Sequence, residues 1–146
     1  MNIKTFDPDN CTLVLAYVAN DGTQDQFLAT NWESCAVRYS DPRAEHSTST
    51  TGQITRSKIK NKLGVATLMT PNNSDVCSFL AKYLDSSGKL VLQFLERQDE
   101  STITEMFLGD ATITDAGDLE KARISGMRTW TLTGALFKPK ENVYAN

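Results

Sequence analysis

The first third of the chain contains three short runs rich in apolar residues, separated by polar positions, a pattern that is typical of β-strands. Thr12 to Val18 is rich in β-branched and aromatic residues, which favour strands. The Asp21-Gly22 pair suits a tight hairpin turn, so Gln26 to Trp32 is predicted to be the partner strand. A third strand is predicted over Ser34 to Tyr39.

One helix is predicted in the second half, from about Asn73 to Asp85, directly after Pro71 ends a strand. Asn73 or Ser74 can cap this helix, and Gly88 is predicted to stop it. Apolar side chains recur at the spacing of one helix face, namely Val76, Phe79, Leu80 and Tyr83. The helix is therefore predicted to pack this stripe against a sheet.

The rest of the pattern predicts four more strands. They cover Ile54 to Thr70, Lys89 to Glu96, Ile103 to Ile113 and Ile124 to Phe137. Gly109-Asp110 predicts a bulge in the third of these. The fold class is therefore mainly β with one flanking α-helix. Because no repeat or linker divides the sequence, residues 1–146 are predicted to form a single domain.

The segment from about 40 to 53 interrupts this pattern, because it offers almost nothing to bury. A structureless stretch of this length inside a compact domain is usually functional or mobile. Two interpretations stay open, a solvated loop and an arm that orders only against a neighbouring subunit. The residues that would make the inter-subunit contact are Asp41, Pro42, Arg43, Glu45, His46, Thr50 and Gly52.

Composition excludes several function classes. The net charge of −3 lacks the basic surplus of a duplex-binding protein. Three cysteines without a C-x-x-C pair argue against a disulfide framework and a zinc site, so they are interpreted as small buried side chains. His46 is the one histidine, and no nucleophile, phosphate-loop or metal-ligand motif accompanies it. We therefore expect no enzyme, no cofactor and no metal, and a protein made in the cytoplasm without a signal peptide or membrane span.

Charge is distributed unevenly along the chain. Seven acids and no base lie between Gln98 and Glu120, namely Asp99, Glu100, Glu105, Asp110, Asp115, Asp118 and Glu120. Four bases and no acid lie between Gln53 and Lys62, namely Arg56, Lys58, Lys60 and Lys62. These blocks are either ordinary solvated faces or opposite poles that meet head to tail between identical copies. An acidic surface could also line a channel that DNA passes, since it repels the phosphate backbone.

The order of elements resembles that of the tail tube proteins of tailed bacteriophages. The resemblance is carried mainly by the strand-proline-helix run from Lys62 to Leu84, by the closing strands to Phe137, and by the long segment at 40–53. It implies a β-sandwich or half-barrel with one flanking helix, whose copies form hexameric rings that stack into a hollow tube. It also implies that the long loop reaches a neighbouring subunit and that the acidic stretch lines the lumen. The basic run from Arg56 to Lys62 departs from an acidic lumen and is expected in a ring contact or a mixed lining.

The resemblance further implies a location in the virion tail and a set of partners. These are other copies of the chain, the tail sheath, baseplate and terminator proteins, and the tape measure protein and DNA inside the lumen, without sequence-specific nucleic-acid binding. A contractile, sheathed tail is favoured by the polar helix face. A secretion-system or baseplate-initiator ring of the same fold is the nearest alternative. A monomeric β-sandwich binding module is the alternative of another class.

Overall fold

The computed structural model of the protein describes residues 11–58, 62–97, 102–119 and 126–144. In these ranges the chain forms nine strands and one helix. The elements are β1 (Cys11–Val18), β2 (Gln24–Ala29), β3 (Ser34–Tyr39), β4 (Ala44–Thr48), β5 (Ile54–Lys58), β6 (Leu63–Pro71), α1 (Asp75–Lys82), β7 (Lys89–Arg97), β8 (Thr102–Asp115) and β9 (Met127–Tyr144). The prediction of a mainly β fold with one helix is confirmed.

Seven strands form one antiparallel sheet in the order β2-β1-β7-β8-β9-β6-β3. The two edge strands, β2 and β3, are joined by residues 30–33 alone, so the sheet must curl until its edges approach each other. Trp32 in this corner packs edge-on against Phe94 of β7, with ring centroids 5.7 Å apart. The sheet therefore encloses its own core, as expected of a half-barrel.

The core consists of the inward-facing residues of alternate positions in this sheet. Trp130, Leu132 and Leu136 of β9 are buried, as their shared face predicts. They pack with buried residues of the other strands, namely Leu13, Leu15, Ala66, Leu68, Leu90, Leu92, Phe94 and Leu108. Burial of each such leucine contributes roughly 1.5–3 kcal/mol to folding before the entropy cost.

The predicted bulge at Gly109-Asp110 is confirmed in β8, where its register with both β7 and β9 shifts. The β7–β8 register shifts between Leu90 and Leu92, and Asp110 takes a positive φ of 49°. The partner strand contributes Gly134, where a Cβ would overlap the Gly109 carbonyl oxygen and Ala111. A glycine is therefore required for the two backbones to approach this closely.

Helix α1 follows its predicted cap and departs from its predicted stop. Ser74 Oγ accepts from the Cys77 amide at 3.2 Å and donates to the Pro71 carbonyl oxygen at 2.7 Å. The prediction of Gly88 as the stop is wrong, because the helix ends at Lys82 and Asp85 takes the left-handed φ of 63°. Gly88 is instead required for packing, since a Cβ there would overlap the Tyr17 hydroxyl.

Two predictions about the middle of the chain are wrong. The segment at 40–53 is not a loop throughout, because Ala44–Thr48 forms β4 and pairs with β5. Its threonines favour a strand, and Ser49 with Gly52 (φ 85°) forms the turn that lets the chain fold back. The segment from Ile54 to Thr70 is not one strand, because β5 belongs to this hairpin whereas β6 belongs to the large sheet.

Two strand boundaries also differ from the sequence prediction. β2 is Gln24–Ala29 rather than Gln26 to Trp32, because Trp32 lies in the corner that turns the chain towards β3. β9 continues to Tyr144 rather than ending at Phe137, since β8 begins at Thr102 and offers it a partner over this length. The register pairs Thr102 with Tyr144.

Candidate functional site

The β4–β5 hairpin, residues 44–58, is a two-stranded element whose strands pair only with each other among the residues that the structure describes. Its register places His46 opposite Arg56 and Thr48 opposite Ile54, so these residues share one face. Ile54 is 68% exposed, and His46 and Arg56 are exposed beside it. An isolated two-stranded hairpin is marginally stable in water and exposes backbone and side chains to a partner.

The large sheet has two edges within the part of the chain that the structure describes. β2 pairs with β1 on one side, β3 pairs with β6 on one side, and neither has a second strand beside it. Leu28 of β2 is exposed on the outward face. Such edges present backbone donors and acceptors that can pair with another chain.

A basic recess lies next to the end of β3, the beginning of β6 and residues 136–138 of β9. Its volume is about 500 Å³, and it is lined by Tyr39, Arg43, Lys62, Leu136, Phe137 and Lys138. The Arg43 guanidinium stacks on the Tyr39 ring at 3.9 Å, and Phe137 is 54% exposed. The recess therefore combines three cationic groups with an apolar floor.

The backbone around the recess is held together by hydrogen bonds between the strands that border it. The Ser40 amide donates to the Leu63 carbonyl oxygen at 2.9 Å, and the Leu136 amide donates to the Lys62 carbonyl oxygen at 2.8 Å. Phe107 packs against Phe137 with ring centroids 5.1 Å apart. These contacts fix the floor and rim in one arrangement, as binding to a preformed site requires.

Acidic residues gather at the opposite end of β6. Asp115 and Asp118 lie in the acidic loop, residues 115–119, which begins at the last residue of β8. Glu33 and Asp75 are exposed beside the end of β6. Lys62 directly precedes β6, and the chain from Lys62 to Pro71 spans about 30 Å at the rise of an extended strand. In the described ranges, a recess with three cationic side chains and a loop with two exposed carboxylates therefore lie at opposite ends of β6.

The acidic loop is anchored by a buried arginine. Arg128 Nε donates to the Ala116 carbonyl oxygen at 2.6 Å, and its guanidinium lies 4.2 Å from the centroid of the Trp130 ring. The Gly117 amide donates to Asp115 Oδ1 at 2.8 Å, and a Cβ at Gly117 would overlap the Thr129 carbonyl oxygen. These bonds fix the loop, and Asp118 and Leu119 project from it into solvent.

The sequence-predicted site residues divide among these features. Thr50 and Gly52 lie in the hairpin turn, Glu45 and His46 in β4, and Asp41 and Pro42 in the connection that leads to it. Of the basic run, Arg56 and Lys58 belong to the hairpin, Lys62 lines the recess, and Lys60 lies outside the described residues. The structure thus separates a basic run that is continuous in the sequence.

The seven predicted acids do not form one surface in the ranges that are described. Glu105 is half-buried on β8, and Asp110 forms an exposed ion pair with Lys89 at 3.6 Å. Asp115 and Asp118 lie together in the acidic loop. Asp99, Glu100 and Glu120 lie outside the described residues.

Sequence analysis missed the recess itself. Tyr39, Phe137 and Lys138 come from β3 and β9, which are distant in sequence, and tertiary contact alone joins them to Lys62. A signal was present in the strict alternation of β9, which makes Phe137 an outward-facing aromatic residue next to a lysine. Ile54 was missed for a similar reason, since an apolar residue within a strand is normally assigned to a core.

Hydrogen bonding and burial raise the pKa of two side chains among the described residues. Tyr83 at the end of α1 donates its hydroxyl to Asp25 of β2, and this hydrogen bond raises the pKa of Tyr83 above 10.0. Burial raises the pKa of the Cys35 thiol to about 12, so this thiol stays protonated at neutral pH. In the ranges covered by the structure, no group of three metal-ligating side chains occurs, and no helix is long and apolar enough to span a membrane.

Comparison with known proteins gives a fold relationship. No family model and no curated protein matches this sequence. The chain is similar to the tube-terminating cap of the anti-feeding prophage, with a TM-score of 0.54 and 8% identity over 97% of this chain and 95% of that one. It is also similar to a chain of the sheath–tube complex of the PVC extracellular contractile injection system (TM-score 0.48, 10% identity, 90% and 88% covered). A chain of the anti-feeding prophage baseplate gives a TM-score of 0.48 and 10% identity, with 96% of each chain covered.

At these identities the likeness concerns the fold. The seven-stranded sheet with its single helix is therefore a tail-type fold, and the resemblance inferred from the order of elements is confirmed at that level. This chain has the tail-type fold of the anti-feeding prophage tube cap.

Proposed function

We propose that this chain is a structural, non-enzymatic subunit of a phage tail tube. Hexameric rings of it stack into a hollow tube that conducts DNA from the capsid to the host cell, inside a contractile sheath. Its location is the virion tail, after synthesis and assembly in the host cytoplasm. The observation that carries the proposal is the pair of unpaired sheet edges, β2 and β3, on one tail-type fold.

Edge pairing between copies explains how a ring would close. A strand edge of one copy that pairs with the other edge of the next makes a heterologous contact, which closes into a ring when the rotation allows it. Closure also removes the exposed edges, which otherwise promote uncontrolled aggregation. The β4–β5 hairpin would then extend from each copy as the arm that contacts a neighbouring subunit.

The partners follow from the same proposal. Sheath, baseplate and terminator proteins would bind the outside and the ends of the tube, and the tape measure protein and DNA would occupy the lumen. DNA contact would not depend on sequence. Residues 1–146 would act as a single domain, with the acidic residues from Asp99 to Glu120 facing the lumen or a ring contact.

A tube-terminating cap is the second candidate, because the cap of the anti-feeding prophage shares the fold with a TM-score of 0.54. A secretion-system ring or baseplate initiator belongs to the same group. These candidates predict single rings, whereas a tube protein extends by stacking. A monomeric β-sandwich binding module would use the hairpin as its binding edge.

Negative-stain electron microscopy of the purified protein at low and high concentration tests the proposal. We expect hollow tubes or stacked rings at high concentration, because each copy has both ring and stacking contacts. Isolated rings at all concentrations would favour the cap or initiator. Monodisperse monomers at high concentration would contradict assembly and favour the binding module.

A further inference from the structure

We propose that the acidic loop of one copy inserts into the basic recess of a copy in the next ring and sets the stacking register. This inference rests on the proposed function and assigns the residues of one of its contacts. The recess lies at the beginning of β6 and the middle of β9, and the loop lies beside the other end of β6, so each copy offers one of each to its neighbours. Such a contact repeats along an axis.

The recess has the chemistry to bind a carboxylate next to an apolar side chain. Lys62 and Lys138 are exposed at its rim, and the Arg43 guanidinium, a planar donor group, lies over the Tyr39 ring. Phe137, which is 54% exposed, supplies apolar surface beside these cations. A carboxylate would bind the cations while an adjacent aliphatic group covers the floor.

The acidic loop carries these two groups on adjacent residues. Asp118 is exposed, and Leu119 beside it is 63% exposed. The Arg128 bond to Ala116 and the Asp115 bond to Gly117 anchor residues 115–117, which directly precede these two residues. Binding would therefore need to order little more than Asp118 and Leu119.

Nucleic acid is the competing occupant of the recess, because lysine and arginine also bind phosphate. The apolar floor favours the loop, since a leucine side chain offers Phe137 more apolar surface than the deoxyribose of a phosphate backbone does. The net charge of −3 also makes general attraction of DNA weak. By contrast, every copy of the chain carries one acidic loop for each recess.

Two variants test the contact by charge reversal. The recess variant combines Lys62→Glu with Lys138→Glu, and the loop variant is Asp118→Lys, which leaves the Asp115–Gly117 bond intact. Each variant alone places like charges on both sides of the contact. We expect the concentration for half-maximal assembly to rise by about tenfold in each, measured by sedimentation velocity and electron microscopy.

An equal mixture of the two variants should assemble like the wild type, because each reversed surface then meets an opposite charge. A chain that carries all three substitutions should also assemble alone. The matched control is Lys89→Glu, which reverses an exposed charge away from both surfaces and should leave assembly unchanged. Circular dichroism of every variant establishes that it is folded.

The outcomes distinguish the inference from the proposed function. A wild-type protein that stays monomeric at every concentration overturns both. A wild-type protein that assembles, with variants that assemble equally well or a mixture that is not rescued, overturns this contact alone. Binding of a duplex DNA oligonucleotide that the recess variant loses while its assembly is unchanged would assign the recess to DNA and also overturn the contact.

Discussion

Single polar atoms in the core mark where this fold tolerates an unfavourable interaction. Thr70 and Trp130 are fully buried near the acidic end, and among the described residues Thr70 Oγ1 and Trp130 Nε1 have no hydrogen-bond partner. Arg128 beside them is also buried, and it uses Nε to anchor the acidic loop. Buried polar groups without partners reduce stability, so we expect this cluster to cost free energy of folding.

Replacement of Thr70 by valine tests this expectation. The two side chains have nearly the same shape, and the change removes a buried hydroxyl that lacks a partner. We expect the free energy of unfolding to rise by about 1 kcal/mol, measured by urea denaturation followed by tryptophan fluorescence.

Thr67→Val on the outward face of the same strand is the matched control for this substitution. Thr67 is half-buried, and its replacement should change stability by less than about 0.5 kcal/mol. A Thr70→Val protein that is less stable than the wild type would show that the hydroxyl has a partner.

At the scale of elements, helix α1 is joined to the sheet by aromatic side chains. Phe79 stacks on Phe27 of β2 with ring centroids 5.0 Å apart, and Tyr83 stacks on Tyr17 of β1 at 3.9 Å. The Tyr83 hydroxyl donates to Asp25, which also lies 3.7 Å from Lys82 Nζ. The last turn of the helix is therefore connected to both β1 and β2.

The raised pKa of Tyr83 predicts a pH dependence for this connection. Since the pKa in the folded state lies above 10.0, the stabilisation is fully present below pH 10 and is lost as the pH rises through the folded value. We expect the stability difference between wild type and Tyr83→Phe to be constant from pH 7 to about 9 and to shrink above pH 10.

Urea denaturation across this pH range measures that difference. Asp25→Asn is the control, because it removes the charged acceptor and should return the Tyr83 pKa towards its ordinary value, as ultraviolet titration would show. A stability difference that stays constant to pH 11 would contradict this account.

At the scale of the whole molecule, the hairpin is the element least involved in the core. In the described ranges its strands pair only with each other, and Ala44 lies opposite Lys58 at its base. A chain in which a Gly-Ser turn replaces residues 45–57 would therefore keep the two ends together. We expect it to fold with nearly unchanged stability and to lose assembly, as measured by urea denaturation and electron microscopy.

Ile54→Ser provides a milder companion to this deletion. It keeps the hairpin and its turn but removes the exposed apolar side chain, so assembly should weaken without being abolished. Tubes of normal length from the deletion variant would contradict the role of the hairpin as an inter-subunit arm.

Local patterns predicted much of this structure because they depend on neighbouring residues. Period-two alternation identified the strands of the large sheet, and the alternate positions of β9 identified Trp130, Leu132 and Leu136 as core. The Ser74 cap and the Gly109-Asp110 bulge were also predicted, since each depends on the backbone preferences of a few adjacent residues.

By itself, the sequence determined the fold class, the strands of the core, the helix cap and the uneven charge along the chain. The tertiary structure alone decided which distant residues meet. It separated Lys62 from Arg56, brought Lys62 to Phe137 and Lys138, and placed the acidic loop beside the far end of β6. The physical reason is that strand order and sheet curvature arise from the packing of the whole core, which no short stretch of sequence encodes.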